Sequence, residues 1–123
     1  MDRLEQFKKS FLHALRGLRY VVVHEKNFQN ELIIACVIVI AMVFFEVTRA
    51  EMIVLILVIA GVLVMELFNT VVERVVDILK PRVHPYARLI KDLMAAGVLV
   101  TCILAVIVGF LIFFPYIAEM LGK

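Results

Sequence analysis

Three apolar runs, at residues 32–45, 52–65 and 93–114, limit this chain more than any other feature. With 64% hydrophobic residues and a mean hydropathy of +1.05, it is too apolar for an ordinary soluble domain. The third run is long enough to cross a bilayer unaided. The first two hold 14 residues each and cross only if their helices continue through polar flanks. At 123 residues there is room for one small domain. A chain this small cannot wrap a nucleotide in soluble layers, so any active site must use the membrane boundary or several protomers.

The expected architecture is all-α, with a surface helix and three transmembrane helices in one domain over residues 1–123. Leu4, Phe7, Phe11, Leu15, Leu18 and Val22 recur every three or four residues, with Lys8, Lys9, Arg16 and Arg19 mostly off that stripe. This pattern predicts an amphipathic interfacial helix over 1–27, basic on its wet side. The spans are predicted at 30–48, 51–79 and 86–115. Lys80–Pro81 is the stop after the second, and Pro85 opens the third. The first 27 residues lack the short apolar core and cleavage site of a signal peptide. Cys36 and Cys102 lie inside apolar runs and read as small buried hydrophobes rather than a disulfide.

Charge orients the spans. Six Lys/Arg fall in residues 1–27 and five in 74–91, against Arg49 and Lys123 in the other flanks. The positive-inside rule places the N-terminus and the 78–90 loop in the cytoplasm, with the 46–51 turn and the C-terminus outside. Phe113, Phe114 and Tyr116 then fit an outer aromatic belt.

The second span ends in four polar groups, Glu66, Asn69, Glu73 and Asp77. At about 100° per residue they share roughly a quarter-turn of one helix face. Acids entering a membrane segment are costly unless they meet metal, cations or water. A carboxylate cluster at a membrane surface points to a divalent cation, and the cation to phosphate. Glu25, Lys91 and Asp92 fall at the same cytoplasmic level, where ATP is available. Taken singly, Glu25 reads equally well as a solvated helix-end acid, and Lys91 better as a snorkelling lysine. Glu66 is harder to dismiss, because it follows fourteen apolar residues and shares its face with three partners. His13, His24 and His84 have no metal-ligand spacing. In the third span Gly97, Thr101, Ala105 and Gly109 repeat every four residues, a spacing that permits close helix contact.

The stretch Glu66-Leu-Phe-Asn69-Thr70-Val-Val-Glu73-Arg-Val-Val-Asp77, followed by Lys91-Asp92-Leu-Met-Ala95-Ala96-Gly97, resembles the prokaryotic diacylglycerol kinase/undecaprenol kinase family. Gly17-Leu18-Arg19, Glu25 and Asn27-Phe28 match its N-terminal part, and the resemblance covers roughly residues 7 to 110. It implies a homotrimer in the bacterial cytoplasmic membrane that phosphorylates a lipid alcohol with Mg-ATP. No P-loop or kinase-type glycine loop is present, and no nucleic-acid partner is expected. The resemblance assigns Glu66 as general base and Asn69 as the residue holding it and the reacting groups. It assigns Glu25 and Glu73 as the Mg²⁺ pair and as nucleotide contacts. Asp77, Arg82, Val83, His84, Lys91 and Asp92 complete the nucleotide site. Ala14, Arg16, Arg19, Glu31 and Ala95 are the implied lipid contacts. Met94, His13, Ala14 and His24 depart from residues common in the family, which bears on lipid and base contacts rather than on the core chemistry.

The acceptor lipid is either undecaprenol or diacylglycerol. The form Glu25-Lys26-Asn27-Phe28 favours undecaprenol. A small multidrug-type transporter or an accessory membrane subunit is the reading from another class. Such carriers place their acid at the membrane midplane, whereas the acids here gather at one end of the spans.

Overall fold

The computed structural model describes residues 2–79 and 85–123. It contains α1 (Arg3–His24), α2 (Lys26–Phe44), α3 (Arg49–Leu79) and α4 (Pro85–Met120), with no strand among the described residues. The last three are long and apolar enough to cross a membrane. The Lys80–Pro81 stop and the positions Arg82, Val83 and His84 lie outside the described residues.

α3 is the central element and packs most extensively on α4 and also against α2. The expected small-residue stripe is the half-buried face of α4. Gly97 shows why small side chains are needed there: a Cβ would sit 2.9 Å from Met65 Cε on α3. Thr101 spends its hydroxyl on the Gly97 and Val98 carbonyls, at 3.3 and 2.8 Å, and so exposes no polar group to the packing face.

α1 has a different setting. Only Val21 is buried, and the whole apolar stripe from Leu4 to Val22 is exposed. A polar-faced helix that leaves such a stripe uncovered by protein fits the bilayer interface. The junction to α2 is one residue, Glu25, in extended conformation at φ −102°, ψ 107°. Gln29 closes the junction, with Nε2 donating to the Val22 and Val23 carbonyls at 2.9 and 3.1 Å.

The opposite end of the bundle is tied by local chemistry. α2 ends in a Schellman turn: Val47 N donates to Met42 O and Glu46 N to Val43 O. Glu46 takes the left-handed position, at φ 50°. Thr48 and Glu51 then form a reciprocal capping box, with backbone-to-side-chain bonds of 3.0 and 3.2 Å. Tyr116 Oη donates to Glu51 Oε2 at 2.5 Å and ties α4 to this turn. Met42, Val47, Leu55 and Phe113 form the buried cluster beneath, with Phe45 and Tyr116 against it.

This corrects the aromatic-belt expectation. Phe113 is buried and Tyr116 half-buried in the clasp, and only Phe114 is exposed. α4 also runs five residues beyond Pro115. A proline removes one helical N–H, and the Tyr116–Glu51 bond holds the segment that follows. Cys36 is exposed on α2 rather than buried, and both cysteines are free.

Candidate functional site

The inward face of α3 starts apolar, with Leu55 and Val62, and turns polar one turn later. Glu66 and Asn69 continue that face and are buried to 3% and 6% exposure. Glu73 is half-buried and Asp77 exposed, so the stripe runs from the interior of the bundle to its surface. Thr70, also buried, donates its hydroxyl to the Glu66 carbonyl at 3.1 Å.

Buried carboxylates require partners. Asn27 lies beside Glu66, and the carboxylates of Glu31, Glu73 and Glu25 are near enough to act on it electrostatically. Asn69 Nδ2 donates to Glu73 Oε1 at 3.4 Å. Asn69 Oδ1 is fully buried and accepts no hydrogen bond. A native buried acceptor left unpaired is uncommon and marks a position where another group is expected.

Two further acids, Glu25 and Asp77, meet cations. Glu25 Oε1 accepts from Arg74, whose guanidinium carbon lies 5.9 Å from the Tyr20 ring centroid. Lys91 Nζ donates to Asp77 Oδ1 at 2.6 Å. The chain thus brings Glu25, Glu66, Asn69 and Glu73 into one neighbourhood and joins Lys91 to Asp77 directly. Asp92 and Ala95 are exposed on α4, and Ala14, Arg16 and Arg19 on α1. Glu31 lies deeper, where Cys102 Sγ approaches its Oε1 at 3.8 Å. It also stands at the edge of a mostly apolar cavity of about 390 Å³ between α2, α3 and α4, reaching Phe113.

Asn27 and Arg74 are the residues that sequence reasoning did not place in the site. In the sequence Asn27 carries part of the family resemblance and of the lipid-branch distinction, with no role in the site, although it follows Glu25 by two residues at a helix break. Arg74 was counted among the cytoplasmic positive charges, although it adjoins Glu73. No group of three or more His, Cys, Asp or Glu able to hold a metal occurs among the described residues.

The chain matches the family described as prokaryotic diacylglycerol kinase over residues 12–113. It is 37% identical over 114 residues to the undecaprenol kinase of Bacillus subtilis, covering 93% of each chain. It is 31% identical over 103 residues to the diacylglycerol kinase of Haemophilus influenzae, covering 83% of this chain and 87% of the relative. The diacylglycerol kinase of Escherichia coli K12 is 28% identical over 95 residues, covering 77% of this chain and 78% of the relative. A match over most of the chain, on a bundle whose one polar face gathers these acids, makes this membrane protein a lipid kinase belonging to the prokaryotic diacylglycerol kinase family.

Proposed function

We propose that this kinase transfers the γ-phosphate of ATP to the hydroxyl of undecaprenol at the cytoplasmic membrane face, working as a homotrimer. The observation that carries the reading is the buried Glu66, directly at the end of the apolar stretch of α3, with Asn27 and Glu73 beside it and Asn69 bonded to Glu73. A carboxylate there meets a lipid hydroxyl that stays at the membrane boundary. The relative named undecaprenol kinase, 37% identical over 93% of both chains, supports that acceptor.

Glu66 accepts the hydroxyl proton as the alcohol oxygen attacks the γ-phosphorus, and ADP departs with the bridging oxygen. Asn69 fixes Glu73 through Nδ2 and leaves Oδ1 for an incoming donor. Asp77, Lys91 and Asp92, with Arg82, Val83 and His84, are the proposed nucleotide contacts. Ala14, Arg16, Arg19, Glu31 and Ala95 are the proposed lipid contacts.

The residues present fit Mg²⁺. Glu25 and Glu73 are hard oxygen donors, and Mg²⁺ is commonly held by one or two carboxylates plus substrate phosphates. A three-ligand protein cluster is therefore not required. The unpaired Asn69 Oδ1 adds an unspent oxygen beside the pair. The chemistry Mg²⁺ supplies when bound is neutralisation of charge on the transferring phosphate. By the positive-inside distribution the N-terminus is cytoplasmic and the C-terminus outside.

Relatives such as those of Haemophilus influenzae and Escherichia coli are named diacylglycerol kinase, so diacylglycerol is the second acceptor to test. Purified protein is offered each lipid with labelled ATP. Faster transfer to undecaprenol is expected, and preferential labelling of diacylglycerol would overturn the assignment. ATP turnover unaffected by either lipid would favour a transporter or accessory role.

A further inference from the structure

Arg74 holds both sides of the α1–α2 junction. Its guanidinium donates to Glu25, the single residue between the helices, and lies over Tyr20 in the last turn of α1. Tyr20 stacks in turn on His24, with ring centroids 4.6 Å apart, and His24 Nδ1 lies 3.0 Å from the Tyr20 carbonyl oxygen. The clamp therefore runs from α3 through one arginine into the end of the surface helix. The Glu25 side chain is only 16% exposed, so its carboxylate has little water, while the Arg74 side chain is 49% exposed and has room to withdraw. The same carboxylate is one of several that act electrostatically on Glu66. Without a cation at Glu25, these acids would repel one another across a poorly hydrated space.

We propose that Arg74 is a positioning residue that serves as a placeholder cation. It holds Glu25 toward α3 while the site is empty and gives Glu25 up when Mg²⁺ and nucleotide bind, so that loading the site loosens the end of α1. The inference rests on the proposed metal role of Glu25. Arg74 itself touches neither the reacting alcohol nor the phosphate in this scheme. Its function is to keep the junction formed between turnovers, and its release couples nucleotide binding to the helix that lies on the membrane.

The chain contains no tryptophan, so Tyr20→Trp gives a single reporter beneath the arginine. A tryptophan preserves the cation–π contact. In full-length protein in lipid nanodiscs, Mg²⁺ with a non-hydrolysable ATP analogue should shift its emission. Addition of Arg74→Gln should give the shifted emission from the start and no further response. Mn²⁺ binding, followed by electron paramagnetic resonance, should tighten about two- to five-fold in Arg74→Gln, since an exposed ion pair is a weak competitor. Arg74→Lys, which keeps the charge, should restore most of the difference. A merely structural arginine would instead weaken Mn²⁺ binding when removed, and that result overturns the proposal. So does a Tyr20→Trp reporter that ignores nucleotide and metal while Arg74 is intact, a measurement that does not depend on how Arg74→Gln folds. Glu25→Gln separates the two levels. Unchanged Mn²⁺ binding in Glu25→Gln would sink the metal reading itself. Loss of binding there, with unchanged affinity in Arg74→Gln, would sink only the placeholder.

Discussion

Replacing Glu66 by Gln removes one negative charge and changes almost nothing else in shape. The side chain is 3% exposed, so the substitution leaves no cavity to open or fill. The amide oxygen of a glutamine can still face Asn27. The substitution also removes a carboxylate from the field of Glu31, Glu73 and Glu25. Folding stability should therefore stay level or rise. Catalysis should fall, because an amide cannot take the hydroxyl proton. Loss of a general base lowers turnover by about 10²–10⁴-fold, which is about 3–5 kcal/mol of transition-state stabilisation.

The two effects must be measured together. Phosphotransfer to undecaprenol is followed with labelled ATP at saturating substrates, and thermal unfolding is recorded in the same detergent. The expected outcome is a fall in kcat of at least about 10²-fold with an unfolding midpoint no lower than the parent. Glu66→Asp should also lose most activity, since it withdraws the carboxylate by one methylene from a site that cannot follow it. A Glu66→Gln enzyme within about tenfold of the parent would remove Glu66 from proton transfer. A large fall in stability would mean that the carboxylate is structural, held beside Asn27 for the fold.

Three further outcomes follow from other parts of the molecule. Glu25→Ala and Glu73→Ala should each raise the Mg²⁺ concentration needed for half-maximal rate, and the double variant should fall well short of additivity if both hold one ion; additive effects would assign them to separate places. With Cys36 and Cys102 replaced by Ala, a cysteine at Asp2 should react with an impermeant maleimide only from the cytoplasmic face, and one at Lys123 only from outside. The reverse labelling would place the acids on the side without ATP. Glu46→Gly should stabilise the protein by about 1 kcal/mol, because Glu46 occupies a left-handed position that costs an L-residue about 1–2 kcal/mol and glycine little. An unchanged or lower unfolding midpoint would mean that the 45–48 turn relaxes to avoid that strain.

The helices were legible because hydropathy and i, i+3/i+4 spacing report directly on which backbone can live in a bilayer. The polar face of α3 was legible for the same reason: Glu66, Asn69, Glu73 and Asp77 fall on one stripe of an otherwise mostly apolar helix. What periodicity does not carry is how each group is satisfied. Phe113 and Tyr116 had the composition of an interfacial belt, yet Tyr116 is drawn inward by a carboxylate, Glu51, that is free to accept only because the Thr48 capping box orients it. Likewise Arg74 looked like one more inward positive charge until the fold set it beside Glu25, 49 residues away in sequence. Both cases involve a long side chain finding a partner across helices, information that no single-helix pattern contains.

The two ends of the bundle divide the work. At the Glu51 end, the polar groups that pair do so locally, in a Schellman turn, a capping box and one tyrosine bond over a buried aromatic cluster. Such an end can be rigid because nothing there needs to change partners. At the Glu66 end the polar groups are paired loosely or across elements. Glu73 is reached by Asn69 at 3.4 Å, Asn69 Oδ1 is unpaired, and Glu25 is held by a half-exposed arginine. These interactions are the kind a charged substrate can displace. A rigid lock at one end keeps α3 and α4 in register, so that displacement at the other acts on side chains and on the α1 junction rather than on the bundle. Substituting Tyr116 by Phe tests that division. It removes one hydrogen bond to a charged group, worth about 1.5–3 kcal/mol, far from the acids. The unfolding midpoint should fall while kcat and the Mg²⁺ requirement hold. If kcat falls in step with stability, the lock is part of the catalytic machinery and the two ends are not separable.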